Sequence, residues 1–330
     1  MDHVRLKDAL QAFRLRRLVL DFIAEADCWV NPWLGSAWRG IMGHTLRAGL
    51  CLTGLPQCAP CPLVDACRYP ILFEARPPAT AELLKGISRA PGPYTLLPSP
   101  GGQLKRGERL SVELRLFGPA IANAALLVRA LALGASTGAG LQGLRCKLQA
   151  INELNADGRA ETVTLQALMR APVVSQPLQM MPDWPGSFRI QLLTPLRLRV
   201  TGQYLRTEQL TLGTFLTALL RRVSLLLASY QNIRLDLPFR ELYDQARALA
   251  WRPLSPQWQE LGRRSGRQQR LIPMGGIVGE FEGTDSGSEA FWPLLWLGQW
   301  TMLGKGVSMG LGHYRLGQAT DGLDLGANPF

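Results

Sequence analysis

Apolar and polar positions along the chain alternate with two different periods. In "FRLRRLVLDFIAE", from Phe13, they alternate every residue, the pattern of a strand with one buried face. In "GSAWRGIMGHTLRAGL", residues 35–50, the period lengthens to that of a helix. Trp38, Ile41, Met42 and Thr45 share one face there, while Gly40, His44, Arg47 and Cys51 follow the spacing of another. A Pro/Gly-rich stretch over 76–107 interrupts the pattern, with a hairpin strand expected inside 69–98. "RLSVELRLFG" then returns to period two, an Ala/Leu-rich helix is expected over 119–133, and a last strand over 144–154.

The second half repeats the order. "SFRIQLLTPLRLRV" reads as a strand and 211–230 as a helix. The basic segment "RRSGRQQRLIPMGGIVGEFEG" follows, then a helix through Trp292, Trp296 and Trp300, and a final strand over 313–316. The tryptophans, four residues apart, read as a buried stripe, and Ser286 with Glu289 reads as a capping box before them. Pro293 sits awkwardly in that helix's first turns. Each half is thus strand, helix, strand pair, helix, strand. The expected class is α+β, two tandem ferredoxin-like (βαββαβ, RRM-like) domains. The first occupies 1–170 and the second 187–330, joined by a linker over 171–186 with "APVVSQP" and "MMPDWPG".

Length supports two cores, since 330 residues exceed one ordinary domain. Hydrophobic content of 47% with 18% charge excludes large-scale disorder. The N-terminal residues lack the basic start, apolar core and small-residue cleavage site of a signal peptide. "AFWPLLWLGQWTMLG" falls short of the ~20 residues of a membrane span and is broken by Pro293 and Gln299. A cytoplasmic protein without membrane association is expected.

Charge changes the picture more. The net charge is +11, and only Lys7, Lys85, Lys105, Lys147 and Lys305 are lysines, so 36 basic residues less 5 leaves 31 arginines. Arginine suits bidentate phosphate contacts and base stacking, which points to a polyanionic partner. The ordinary alternative is a solvated surface with a compositional arginine bias.

Four of six cysteines fall in "CLTGLPQCAPCPLVDAC": Cys51, Cys58, Cys61 and Cys67. The central C-x2-C lets two thiolates converge from a tight turn stiffened by prolines 56, 60 and 62, and four thiolates suit a structural, tetrahedral zinc. Two disulfides or an iron–sulfur cluster are the alternatives. A metal-knuckle insertion clamping a long loop is the expectation. Cys28 and Cys146 read as buried small hydrophobes.

"LGKGVSMGLGHY" precedes the last strand. Gly304, Gly306, Gly310 and Gly312 permit positive φ and close approach of backbone N–H groups to an anion, with Lys305 and Ser308 adding side-chain contacts. It is not a Walker loop, because the G-x4-G-K-[ST] pattern is missing.

In combination, the two ferredoxin-like halves, the "LGKGVSMGLG" loop, the "GGIVGEFEG" strand before it and the "WRGIMGHTLR" helix leading into the cysteines resemble the RAMP superfamily. Within it, the chain is most similar to CRISPR-associated endoribonucleases that cut repeat-containing precursor RNA. The resemblance covers nearly the whole chain. It implies chemistry without a catalytic cofactor: the ribose 2′-OH attacks the adjacent phosphate, leaving a 2′,3′-cyclic phosphate and a 5′-OH. It implies repeat RNA, crRNA and other CRISPR effector-complex subunits as partners. The family's usual histidine on the first helix matches His44, whose imidazole exchanges protons near neutral pH. Arg47, Arg39 or Lys305 would stabilise charge on the phosphorane. The glycine loop carries over onto residues 304–312 as an RNA contact, and Arg263, Arg264, Arg267 and Arg270 are placed to grip an RNA hairpin through its phosphates. Two other classes stay open: a non-cleaving RAMP subunit that holds guide RNA, and a cysteine-ligated iron–sulfur redox protein.

Overall fold

The computed structural model describes residues 8, 13–74, 90–155, 158–170, 176–177, 181–231, 233, 235, 237–265, 270–283 and 286–317. In the N-terminal unit the elements run β1 (Arg14–Ala24), β2 (Cys28–Val30), α1 (Gly35–Leu50), β3 (Tyr94–Pro98), β4 (Gly102–Leu104), β5 (Arg109–Leu116), α2 (Ala124–Ser136), β6 (Cys146–Leu154), β7 (Ala160–Thr162) and β8 (Gln176–Pro177). The C-terminal unit has β9 (Phe188–Leu196), β10 (Arg199–Val200), β11 (Gln203–Tyr204), α3 (Leu212–Tyr230), α4 (Phe239–Ala248), β12 (Arg252–Pro253), β13 (Gln257–Gln259), β14 (Gly262–Ser265), β15 (Arg270–Pro273), β16 (Gly276–Gly283), α5 (Trp292–Thr301) and β17 (Tyr314–Gly317).

β1 is the centre of the first sheet. It pairs antiparallel with β5 and β6, so that Leu20 faces Val112 on one side and Ile151 on the other. The order β3-β5-β1-β6-β7 sets the four main strands in the spatial order 2-3-1-4, the ferredoxin-like arrangement. Strand alternation sends Leu18, Leu20 and Phe22 to one face, where all three are fully buried. α1 and α2 belong to that core: Trp38 of α1 lies 4.7 Å from the Phe22 ring, and burying each such side chain contributes roughly 1.5–3 kcal/mol. The helices approach closely because Gly134 of α2 has no Cβ to collide with Ile41 and Thr45. The strand expected inside 69–98 is β3, which pairs with β5.

The opposite face of this sheet carries buried charge. Glu113 of β5 accepts from Arg17 Nε at 2.8 Å and from Arg115 Nε at 2.9 Å. Asp21 accepts from Ser111 Oγ at 2.5 Å and from Asn152 Nδ2 at 3.1 Å. Burial alone would raise the Glu113 pKa, but the guanidiniums of Arg115 and Arg17 more than reverse this and hold it at about 2.

The C-terminal sheet repeats the plan around β9, in the order β12-β16-β9-β17, again 2-3-1-4. β12 and β13 are two pieces of one strand along β16, interrupted where the N–H groups of Leu254 and Ser255 both donate to Glu280 O. α3 buries Phe215, Leu216, Leu219, Leu220 and Val223. It is long and apolar enough to cross a membrane by length and composition alone, but this apolar face forms protein core. Tyr314 of β17 packs edge-on to Phe215 at 5.2 Å and donates its OH to Leu295 O of α5 at 2.7 Å. Trp292 and Trp300 are buried as expected, and Trp296 is half-buried.

Three sequence expectations change. The compact units do not follow the chain linearly: the N-terminal one comprises Ala12–Gln179 and Leu225–Ile233, so the end of α3 clusters with it. Tyr230 there donates its OH to Pro91 O. A 3-10 turn over Ser286–Phe291 precedes α5, whose N-cap is Phe291 with no side-chain cap bond, so the capping box does not start this helix. Pro293 lies in the first turn, where its missing N–H has no partner to lose. The end of the strand expected over 187–200 leaves it, and Arg199–Val200 pair instead with Gln203–Tyr204 as the β10–β11 hairpin.

Glu113 gives a pH test. Its folded pKa is depressed below its ordinary value of 4.5, so its contribution is present above that value and is lost as pH falls toward 2. Glu113→Gln should lower stability at pH 7 by on the order of 3 kcal/mol, by removing the carboxylate that Arg115 and Arg17 both bond. It should also flatten the decline between about pH 4.5 and 2, read by urea unfolding across that range. An unchanged acid limb would show that the network does not support the fold.

Candidate functional site

α1 exposes its chemistry because its other face is committed to the core. Trp38, Ile41, Met42 and Leu46 are buried, and His44, on the opposite side, is exposed. Gly43 is buried against Phe73, whose ring a Cβ would strike. Phe73 stacks on Tyr69 at 5.4 Å, and Pro70–Glu74 forms a single π-helical turn.

The two arginines of α1 lie over this aromatic pair. Arg39 sits over the Phe73 ring at 4.3 Å and Arg47 over Tyr69 at 5.9 Å. Arg47 Nη2 also donates to Leu55 O, tying the helix to the first part of the cysteine loop. Burial pushes the Tyr94 hydroxyl up to about 12, against the opposing pull of the nearby Arg39 charge. Arg39 and Arg47, read from sequence as phosphate contacts, are thus placed where they brace the segment after the cysteines. Sequence spacing along α1 gave no sign of this, because the aromatic partners lie more than 20 residues away.

The cysteine loop is a chain of tight turns. Cys51 caps α1 and its N–H donates to Arg47 O at 2.9 Å; Cys61 N–H donates to Cys58 O at 3.0 Å and Cys67 N–H to Leu63 O at 2.8 Å. A hydrogen bond from the Gly54 backbone lowers the Cys51 pKa, whereas burial, with Glu74 nearby, raises that of Cys58. Cys61 Sγ lies 3.5 Å from Thr53 Oγ1. All six cysteines are free thiols. Among the described residues no three metal-type ligands converge, so the closed four-thiolate site expected from the spacing is not assembled. Cys146 is fully buried as expected, and Cys28 is half-buried.

In the C-terminal unit the glycine loop is built by its own backbone. Gly304, Gly306, Gly310 and Gly312 all have positive φ, between 74° and 90°. Lys305 N–H donates to Arg197 O at 2.9 Å and Gly312 N–H to Pro195 O at 3.1 Å, fastening the loop to the end of β9. A Cβ on Gly312 would collide with Leu303 O. The N–H groups of Met309, Gly310 and Leu311 are also bonded within the loop. The glycines therefore serve a tight fold against β9, and several of the N–H groups expected to face an anion are engaged. Lys305 is exposed and Ser308 half-buried.

Arg263 and Arg264 lie on β14, and Arg270 opens β15, so the basic segment forms a hairpin; Arg267 lies outside the described residues. Arg263 Nη1 reaches Met309 Sδ at 3.5 Å, which joins this hairpin to the glycine loop. His44 and Arg47 belong to the N-terminal unit and Lys305 to the C-terminal one.

A further set of residues escaped the sequence reading. Arg197 and Arg199 lie over the Tyr204 ring at 4.4 and 5.2 Å, and Arg206 over Trp258 at 4.9 Å. The signal was present: Thr201-Gly202, directly after the strand expected over 187–200, is a two-residue turn with φ of 48° and 87°, the geometry of a tight hairpin.

Residues 13–176 match the family model AF_1859_N, an N-terminal domain, and residues 190–314 match that of the CRISPR-associated endoribonuclease Cas6. No curated protein sequence matches the chain. Among solved structures, a partial Cas6-RT-Cas1–Cas2 complex aligns with a TM-score of 0.56 at 15% identity, over 94% of this chain and 47% of that one. A Cas6 product complex aligns with 0.51 at 16% identity, over 91% and 98%. A Thermus thermophilus Cas6 aligns with 0.50 at 14% identity, over 92% and 98%. At these identities the structural likeness speaks for the fold, which agrees with the two 2-3-1-4 sheets. The Cas6 model runs from within β9 to the start of β17 and takes in the glycine loop, so this part of the chain is similar to the CRISPR-associated endoribonuclease Cas6.

Proposed function

We propose that this protein cuts CRISPR repeat RNA to give mature crRNA. The carrying observation is the Cas6 model over 190–314, which coincides with the sheet, glycine loop and arginine hairpin of the C-terminal unit. In the reaction, the ribose 2′-OH forms a bond to the adjacent phosphorus and the P–O5′ bond breaks. The 2′ proton leaves to a general base, and the departing 5′ oxygen receives one from a general acid. The products are a 2′,3′-cyclic phosphate and a 5′-OH, with no metal taking part.

His44 is the proposed proton-transfer residue, since it is the imidazole exposed on α1. Arg47 lies on the same helix, three residues on, and adds positive potential while bracing the loop through Leu55 O. Lys305 is the proposed second cation. Gly304, Gly306, Ser308, Gly310 and Gly312, with Arg39, Arg263, Arg264, Arg267 and Arg270, are the proposed RNA contacts. Other CRISPR complex subunits are proposed partners, as in the solved Cas6-RT-Cas1–Cas2 complex.

A second reading, an RNA-binding subunit without cleavage, draws on one observation: among the described residues no hydrogen bond orients the His44 ring. The cysteine spacing supports a further proposal, a structural zinc held by Cys51, Cys58, Cys61 and Cys67, which requires the loop to draw its thiols together.

Three outcomes are expected. His44→Ala should slow cleavage of a repeat RNA by about 10²- to 10⁴-fold with its binding unchanged. Full activity in that variant would remove the residue from the chemistry, and an inactive wild type that still binds the RNA would favour the second reading. Arg263→Ala should weaken binding and lower the salt slope by about 1, measured by titration at several salt concentrations; an unchanged slope would make this arginine ordinary surface. Elemental analysis of the purified protein should find one zinc per chain, with the four thiols resistant to alkylation until a chelator is added. Metal-free protein with freely alkylated thiols would overturn the knuckle.

A further inference from the structure

The β10–β11 hairpin carries chemistry that the cleavage site and the arginine hairpin leave unused. Tyr204 is 39% exposed and Val200 44%, so the hairpin holds large side chains out of the core. Thr201 adopts φ 48°, a costly conformation for a β-branched residue, and Arg199 Nε holds the turn by donating to Gly202 O at 2.9 Å. The base of the hairpin is fixed to the glycine loop, because Arg197 O accepts the Lys305 N–H.

The charges around the ring are unusual. Arg197 and Arg199 both lie over Tyr204, yet among the described residues neither guanidinium forms a salt bridge. Arg197 is anchored, donating to Met274 Sδ at 3.0 Å and Pro273 O at 3.3 Å. Arg199 is exposed and its acceptor is a turn carbonyl. Two cations held near one partly exposed ring without a carboxylate repel each other until an anion joins them. Trp258 makes a useful contrast: its Nε1 donates to Glu260 Oε1 at 2.7 Å, so a carboxylate stands beside it and repels phosphate.

From this we infer that Tyr204 is a stacking platform for an unpaired nucleobase of the bound RNA. The base takes the place of Arg199 over the ring, and Arg199 exchanges the Gly202 carbonyl for the phosphate next to that base. Arg197 stays as the fixed cation. Aromatic side chains stack any base by its π-face, so the platform recognises single-stranded nucleotides and tolerates sequence. This places unpaired RNA beside the glycine loop, and it rests on the proposal that the substrate is RNA.

The test uses the full chain with two probes, a labelled oligouridylate and a labelled repeat RNA. Tyr204→Leu should weaken oligouridylate binding roughly 5- to 150-fold, and Tyr204→Phe should retain it. The salt slope of Tyr204→Leu should stay at the wild-type value, since the lost contact is a ring and not a charge. Ultraviolet crosslinking of the wild-type protein to oligouridylate should place an adduct on the peptide containing Tyr204, a readout that survives if the leucine variant does not fold. Unchanged oligouridylate binding by a folded Tyr204→Leu protein, or crosslinks confined to other peptides, would overturn the platform and leave the RNA reading intact. A wild-type protein that binds neither probe would overturn both.

Discussion

The contact between Trp38 and Phe22 orients the first half of the molecule. Both rings are fully buried, and their packing at 4.7 Å fixes the rotation of α1 about its own axis on the sheet. Everything attached to the helix inherits that orientation. His44 must then face outward, Gly43 must meet Phe73, and Arg39 and Arg47 must cover the aromatic turn that follows the cysteine loop. A helix free to rotate would bury the imidazole as readily as expose it. The surface chemistry of α1 is therefore a consequence of core packing on its other side.

The C-terminal unit meets a different constraint, the closure of a loop onto the end of a strand. The loop from Leu303 to Gly312 returns to β9 through Arg197 O and Pro195 O, and only residues without a Cβ fit at Gly304 and Gly312. That closure also meets the neighbouring hairpins: Arg263 of β14 reaches Met309 Sδ of the loop, and the β10–β11 hairpin rises from the strand end whose Arg197 O accepts the Lys305 N–H.

Much of the fold was legible in the chain. The recurrence of Leu18, Leu20 and Phe22 at every second position specifies a strand with an apolar face, and helical spacing in "WRGIMGHTL" specifies which side of α1 is buried; both survive in the structure. The repeated strand-helix order led to the two 2-3-1-4 sheets. What was not legible depended on residues distant in sequence. Arg47 looks like a phosphate ligand until Leu55 O and Tyr69 are seen beside it, and the glycine loop looks like an anion cradle until the Gly312 N–H is traced to Pro195 O of β9 and the Gly310 N–H to Val307 O within the loop. The β10–β11 hairpin was hidden because Arg197 to Val200 continue the alternation of β9, and the Thr201-Gly202 turn is a single dipeptide just beyond it. The four cysteines show the limit of spacing as an argument, since ligand order along a chain does not by itself bring thiols to one point.

The central claim is that the chain cuts RNA through the substrate's own ribose hydroxyl. The most direct measurement is cleavage, in the presence of a chelator, of a repeat RNA and of the same strand with one 2′-deoxy nucleotide at the cut position. The account predicts that the first is cut to a 2′,3′-cyclic phosphate and a 5′-OH while the second remains intact. Cleavage of the deoxy-substituted strand, or a reaction that stops when metal is removed, would contradict it.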